Sequence, residues 1–257
     1  LTASVVAWIG GRYLVEGNAL GNGYATTFLL AFGLTALGLT TLMFVREPAS
    51  RELRAQSNTR SRLKEIPALL RAEPNFARYF FAQVLATAGF VAVPFYVLGA
   101  GQTLGLSGTL LGDLSLILLM AQTFAHLGWG WLGDKTGFRL VLLCALGLWA
   151  IGGVGLAFAS TFWAVAAAFV ALGAGMAGFF LGTQNMVFDF GGQKDLPMRL
   201  ALVNSSQSLV QGIGALLGGQ LALWAGYDAL FIVAALVKAC AAVMLWVRVK
   251  EPRNAAR

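Results

Sequence analysis

The sequence predicts an all-α, polytopic membrane helix bundle with about eight transmembrane helices. Of the 257 residues, 58% are hydrophobic and only 11% are charged, whereas an average soluble domain has about 25% charged residues. The apolar residues fall into long runs separated by short polar or glycine-rich breaks. Lys and Arg are concentrated in alternate breaks, as in proteins that cross a membrane repeatedly. This composition excludes an ordinary soluble enzyme, a disordered chain and a disulfide-rich secreted domain.

Eight apolar segments meet the length that a lipid bilayer requires of a helix, about 20 residues. The first is shorter, as expected of a helix that begins before Leu1. The backbone inside a bilayer must form its hydrogen bonds within the segment, so runs of this length are predicted to be helical. Pro94 predicts a bend in the third segment. The approximate bounds are 1–15, 24–45, 77–98, 109–129, 139–158, 162–186, 200–222 and 229–248.

One long polar stretch, residues 46–75, divides the chain into three parts. Residues 1–45 are predicted to be the last two helices of an N-terminal bundle, the first of them truncated. Residues 46–75 form a basic linker, in which apolar residues at helical spacing predict a short surface helix over 62–71. Residues 76–257 are predicted to form a six-helix C-terminal bundle with a short tail.

All Lys and Arg residues except Arg12 and Lys238 lie in the second, fourth and sixth breaks or in the C-terminal tail. Basic loops stay on the cytoplasmic side of a membrane, so the linker and the C-terminus are predicted to be cytoplasmic in a cell membrane protein. Because the basic residues separate apolar runs and do not cover one folded face, nucleic acid is not expected as a partner.

Arg12 and Glu16 are four residues apart and are predicted to pair.

Metal and cofactor chemistry are not predicted. Cys144 and Cys240 lie in separate apolar runs, without His or Cys partners at ligand spacing, and are predicted to be buried free thiols. His126, the single histidine, is a candidate for proton coupling, with a packed or loop-bonding histidine as the alternative.

Two sequence patterns point to a particular architecture. Val45–Pro48 and Val249–Pro252 have similar sequences and end the second and the last segment, which suggests two homologous halves of six helices each. The loop after the fourth segment has glycines that permit a tight turn, an acidic residue and basic residues. Its motif residues are Gly130, Leu132, Gly133, Asp134, Lys135, Gly137 and Arg139.

This loop resembles the G-x-L-x-D-R/K-x-G-R-R/K motif of the major facilitator superfamily, with Phe138 at a position where arginine is usual. The resemblance implies that the eight segments correspond to helices five to twelve of a twelve-helix transporter. The missing N-terminal helices of the same chain would complete the fold. It also implies that the motif residues form a latch between inward-open and outward-open states, in which Asp134 pairs with a helix end or an arginine.

Polar side chains within the apolar segments are candidates for lining a substrate cavity, because each is costly in lipid unless it has a partner. Four of them share one face of the seventh segment at i, i+3, i+4 and i+7. The alternative is that they form hydrogen bonds between helices. The candidates are Gln83, Thr87, Tyr96, Gln184, Asn185, Asn204, Gln207, Ser208 and Gln211.

Lys238 lies near the middle of the last segment and, being costly there, needs a partner. A structural or snorkelling role is favoured for it.

The predicted function is therefore non-enzymatic: transport of a small solute by alternating access. The alternatives are a non-transporting membrane sensor or scaffold on the same fold, and a retinal-binding seven-helix protein that uses Lys238.

Overall fold

The computed structural model describes residues 2–44, 59–191 and 195–255, where every regular element is a helix. Residues 45–58 and 192–194 lie outside the described part, and with them the first copy of the repeat and the first 13 residues of the basic linker. The helices are α1 (Thr2–Ile9), continued by a π-helical turn (Gly10–Val15), α2 (Gly23–Leu42), α3 (Thr59–Ala72), α4 (Pro74–Ala88), α5 (Tyr96–Leu104), α6 (Gly108–Thr136), α7 (Phe138–Ala157), α8 (Phe162–Asp189), α9 (Leu196–Arg248) and α10 (Pro252–Ala255).

Six of the described helical stretches are long and apolar enough to cross a membrane. They are α2, the α4–α5 stretch, α6, α7, α8 and α9. The number is smaller than the eight predicted segments for two reasons. Thr2–Val15 is too short to qualify, and the 53-residue α9 contains two of the predicted segments.

α9 is a helical hairpin. A straight helix of its length would extend for about 80 Å, whereas the apolar core of a bilayer is about 30 Å thick. Gly226 has φ 84° and ψ 170°, which is not helical, and separates a first arm (196–225) from a second arm (227–248). At one end of the bundle Glu73 pairs with Arg199 of the first arm.

The second arm of α9 returns to the end at which the first arm begins. Gly99 lies against Phe231 near the start of the second arm, whereas Asn75 exchanges two hydrogen bonds of 2.9 Å with the backbone of Lys250 after its end. The end that carries Lys250 and the α6–α7 loop is called the basic end below.

The third predicted segment bends as its proline predicted. The α-helix stops at Ala88, a 3₁₀ stretch runs over Gly89–Phe95, and α5 follows. Pro94 lies inside the 3₁₀ stretch, where its missing N–H prevents a regular α-helical ladder. The bend brings Val91 next to Gly218 of α9, where a Cβ atom would lie only 2.3 Å from the Val91 carbonyl oxygen.

Glycines allow α4–α9 to pack tightly around one core. Trp149, on α7, is fully buried at its centre, and a Cβ atom at Gly175 of α8 would lie 2.7 Å from the Trp149 backbone nitrogen. Gly178 and Gly182 continue this seam along α8. Gly178 and Gly182 are four residues apart on α8, and this spacing lets the helix approach its neighbours closely.

α1 and the π-helical turn that continues it pack antiparallel on α6. The closest approach is between Gly11 of this turn and Gly112, where a Cβ on Gly11 would lie 2.5 Å from the Gly112 backbone. The predicted pairing of Arg12 with Glu16 is wrong. Glu16 instead accepts a hydrogen bond of 3.1 Å from the Thr109 N–H at the start of α6, because the free N–H groups there attract a carboxylate. Arg12 lies over the Trp8 ring, 5.6 Å from its centroid.

The surface of the helices is strongly apolar. The most apolar stretch of α2 has no buried residue, and Phe28 is 75% exposed. Cys144 and Cys240 are exposed, not buried as predicted, because each lies on a helix face that points away from the core. Apolar surface of this extent fits lipid as the surrounding solvent.

Candidate functional site

The turn between α6 and α7 consists of one residue, Gly137. Its φ of +91° is in the region that favours glycine. A Cβ atom there would lie 2.4 Å from the carboxyl carbon of Glu251. Glycine is therefore required at this position both by the backbone conformation and by the space available.

Glu251 supplies the carboxylate at the N-terminus of α7. Its Oε2 accepts a hydrogen bond of 3.1 Å from the backbone N–H of Arg139, and the positive end of the α7 dipole favours a negative group there. Burial raises the pKa of the Glu251 carboxyl group, which the hydrogen bond from Arg139 partly opposes. In the sequence Glu251 stood out only as part of the Val249–Pro252 repeat.

Arg139 joins the loop to the end of α9. Its Nη2 donates a hydrogen bond of 2.6 Å to the carbonyl oxygen of Trp246, near the C-terminus of the second arm, where unpaired carbonyl groups attract a cation. The backbone and the side chain of this one motif residue thus contact the tail and α9, respectively.

Arg253 connects three further groups at the basic end. Its Nε is 3.0 Å from Oδ2 of Asp189 at the end of α8, its Nη1 donates to the Gly133 carbonyl oxygen at 3.1 Å, and its guanidinium lies 4.9 Å from the centroid of the Phe138 ring. Phe138 occupies the motif position where arginine is usual. The basic group at this position is therefore the Arg253 guanidinium of the tail, which lies over the Phe138 ring. Sequence reasoning had not identified Arg253 or Asp189.

The remaining motif residues make few contacts. Asp134 is exposed and, within the described part of the chain, makes no hydrogen bond or ion pair. The ammonium of Lys135 lies 3.9 Å from the centroid of the Trp131 ring. Gly130 is half-buried and has nothing within 4 Å of a Cβ position, and Leu132 packs against the core.

Gln83, Thr87 and Tyr96 lie inside the bundle, each at most 3% exposed. Gln83 donates to the Thr87 hydroxyl at 3.0 Å, and Tyr96 accepts a hydrogen bond of 2.9 Å from the Trp149 indole. The structure therefore does not bring these residues together with the other cavity candidates.

The first arm of α9 carries the other polar set on a face that the described helices leave partly or fully exposed. Asn204 and Ser208 are exposed, and Gln207 and Gln211 are half-buried. Ser208 donates to the Asn204 backbone carbonyl at 3.1 Å, whereas the three amide side chains make no hydrogen bond to described residues. We call these four residues the open polar face.

The two cavity candidates on α8 lie apart from this set. Gln184 is exposed, and the Asn185 amide donates a hydrogen bond within its own helix, to the Leu181 carbonyl oxygen.

Lys238 is 1% exposed and lies among aromatic rings. Its Nζ lies 3.4 Å from the centroid of Trp149, 4.8 Å from that of Phe90 and 5.8 Å from that of Phe179, and it donates to the Ala86 carbonyl oxygen at 3.4 Å. These groups enclose the amine on several sides, so the geometry does not favour retinal attachment.

His126 is exposed on α6, and its Nδ1 lies 2.6 Å from the Gln122 carbonyl oxygen of the same helix. No group of three or more His, Cys, Asp or Glu residues that could hold a metal ion is found among the described residues.

The helices and the basic-end network define a multi-pass α-helical membrane protein. A family model described as Major Facilitator Superfamily matches residues 79–257, which is more than half of the chain. The chain therefore belongs to the Major Facilitator Superfamily, and its general class is that of membrane transporters. A comparison with curated proteins finds no match.

Proposed function

We propose that the protein moves a small solute across the cell membrane by alternating access, with the solute bound between two helix bundles. The open polar face is the observation that carries this proposal. Its amides lie within a membrane-spanning arm and have no partner among the described residues. Unpaired amides are costly in lipid, so a water-filled cavity or a polar solute accounts for them best.

The network around Gly137 is the proposed latch at the basic end. Glu251, Arg139 and Arg253 join the ends of α6, α7, α8 and α9 through the contacts described above. Asp134 remains exposed beside this network, free to contact the other bundle. On this proposal the C-terminal bundle moves as one body, and Asp134 makes or breaks its contact as the basic end closes or opens.

Accessibility of the open polar face tests alternating access without knowledge of the solute. Ser208→Cys is made in a Cys144→Ser/Cys240→Ser background, expressed from the complete reading frame and reconstituted into lipid vesicles. A membrane-impermeant, charged methanethiosulfonate is applied from either side. Modification of position 208 from both sides is expected, since the cavity opens alternately to each.

Val203→Cys on the same arm is the matched control, because Val203 is 2% exposed and its face is covered by the bundle itself. It should remain unmodified from both sides. Modification of position 208 from one side only would favour a sensor or scaffold held in one state. Protection from both sides would mean that the polar face only bonds to other helices, and either result would refute transport through this face.

A further inference from the structure

A groove lies on the surface of the bundle at the basic end, between the start of α7 and the end of the second arm of α9. Its volume is about 230 Å³, somewhat below the roughly 300–1,000 Å³ of pockets that hold drug-sized ligands. It is therefore large enough for a small polar group but not for a whole large ligand. The groove presents both polar and apolar surface, and its lining residues are Thr136, Arg139, Leu140, Leu143, Trp246 and Glu251.

The polar part of the groove carries a guanidinium with free hydrogen-bonding capacity. Nη2 of Arg139 donates to the Trp246 carbonyl oxygen, whereas Nη1 is not buried and makes no hydrogen bond to a described residue. Within the described part of the chain, Arg139 forms no ion pair. The Glu251 carboxylate accepts from the Arg139 backbone N–H, so the N-terminus of α7 stabilises its negative charge. The guanidinium therefore remains free to bind an anionic group.

The apolar part of the groove continues onto the exposed apolar surface of the helices. Leu140 is 38% exposed and Trp246 is 67% exposed. Val243 lies about one turn before Trp246 on the same face of the second arm and is also exposed. Trp246 lies near the C-terminal end of α9, and tryptophan is enriched where the apolar core of a bilayer meets its headgroups. The groove thus joins a basic group at this depth to an apolar surface that leads into the membrane.

We propose that this groove binds an anionic phospholipid from the leaflet at the basic end. Nη1 of Arg139 donates a hydrogen bond to the lipid phosphate, and an acyl chain lies along Leu140 and Trp246. Basic pockets between membrane helices bind anionic headgroups in this way. Exposed Arg248 and Lys250 follow Trp246 in the chain and add positive charge at this end, which favours an anionic lipid over a zwitterionic one. A soluble anion would use only the polar part of the groove, so the apolar part favours a lipid as the occupant.

Lipid binding tests the proposal, with the protein expressed from its complete reading frame and purified in detergent. Native mass spectrometry compares phosphatidylglycerol with phosphatidylcholine of the same acyl chains, and the wild type should bind phosphatidylglycerol more tightly. Arg139→Gln removes a charge-assisted hydrogen bond and should weaken phosphatidylglycerol binding about tenfold, with little effect on phosphatidylcholine. Equal affinity of the wild type for the two lipids would overturn the proposal.

Lys135→Gln is the matched control, because it removes the same charge from the same loop. The Lys135 ammonium lies over the Trp131 ring of α6 and does not line the groove, so phosphatidylglycerol binding should remain nearly unchanged. Equal losses in Arg139→Gln and Lys135→Gln would mean that net charge alone attracts the lipid. Glycerol phosphate, added in an amount equal to the lipid, should not displace it. Displacement would show a site for a soluble anion, and either result would overturn the lipid site.

A second variant is needed because Arg139→Gln also removes the hydrogen bond to the Trp246 carbonyl oxygen. Leu140→Trp leaves the bonds of Arg139 in place and fills part of the groove from its exposed side, so phosphatidylglycerol binding should weaken here too. Unchanged binding in Leu140→Trp would place the lipid elsewhere.

A high-resolution density map of the wild-type protein in nanodiscs that contain phosphatidylglycerol is the independent measurement, and it decides the question if the variants do not fold. The expected result is a lipid whose phosphate lies within hydrogen-bonding distance of Arg139 Nη1. A map that resolves Arg139 and Trp246 with no lipid in the groove would overturn the proposal, whatever the variants show.

Discussion

At the scale of single residues, Lys238 shows how the bundle accommodates a basic side chain near the middle of a membrane. A lysine there costs about 2.5–3.5 kcal/mol on insertion scales. Cation–π contacts with desolvated rings are worth about 2 kcal/mol, and Trp149 provides the nearest one, at 3.4 Å. The sequence identified the lysine as unusual, but its aromatic neighbours come from three separate segments, so only the packed structure could name them.

The enclosed position of Lys238 predicts that its shape matters more than its charge. Lys238→Met keeps most of the volume and removes the cost of desolvation, so we expect Tm to be unchanged or higher. Lys238→Ala leaves a cavity beside Trp149 and is expected to lose stability by about 2–5 kcal/mol. Thermal unfolding of the two purified variants checks this. Equal losses of stability in both variants would show that the amino group itself holds the core together.

At the scale of elements, the sequence predicted the helices well because hydrophobic length is a local property. Each segment from residue 77 onward corresponds to a described helical stretch, with ends that differ by up to seven residues, and the bend at Pro94 was predicted from one residue. The two segments of α9 were also separate in the sequence, although the described break between them is a single non-helical residue, Gly226.

The candidate site was predicted less completely than the helices. The glycine turn between α6 and α7 was predicted from its motif, but its partners were not, since Glu251 and Arg253 reach it only when the second arm of α9 packs on α7. Similarly, side-chain polarity alone did not distinguish Gln83, which points into the bundle, from Gln207 on the open polar face. That difference depends on how each helix is rotated, and the neighbouring helices fix the rotation.

The α6–α7 turn predicts a sharp contrast between two glycines of the same motif. Gly137→Ala introduces a strained positive φ, at about 1–3 kcal/mol, and places a methyl group against Glu251, so Tm should fall and the proposed latch should loosen. Gly130→Ala is the matched control, because nothing lies within 4 Å of its Cβ position and alanine favours a helix by about 1 kcal/mol over glycine. Comparable losses of Tm in both variants would contradict the geometry of the turn.

Loosening of the latch can be measured separately from stability. Modification of Ser208→Cys from the side of the basic end should become faster when Gly137→Ala is added, because the closed state of that end is weakened. Adding Gly130→Ala should leave this rate unchanged. If Gly137→Ala leaves this modification rate unchanged, the turn does not take part in the proposed conformational change.

At the scale of the whole molecule, the formal net charge of +7 is unevenly distributed. The hairpin of α9 places Arg199 and Lys250 at the same end, and the α6–α7 loop brings Lys135 and Arg139 there as well. The opposite end, with the loop between α5 and α6, carries no Lys or Arg in residues 99–108. This asymmetry predicts the orientation of the protein, since translocation of basic loops is disfavoured.

Orientation is best tested with single cysteines at the two ends in the Cys144→Ser/Cys240→Ser background. Leu106 is 53% exposed between α5 and α6, and Lys250 is exposed at the basic end. In intact cells a membrane-impermeant maleimide should label Leu106→Cys, whereas Lys250→Cys should react only after the membrane is permeabilised. Both substitutions lie outside the apolar segments, so a difference in labelling reports the side of the membrane and not burial. The reverse pattern would place the basic end outside the cell, and the latch at Gly137 would then control the extracellular opening.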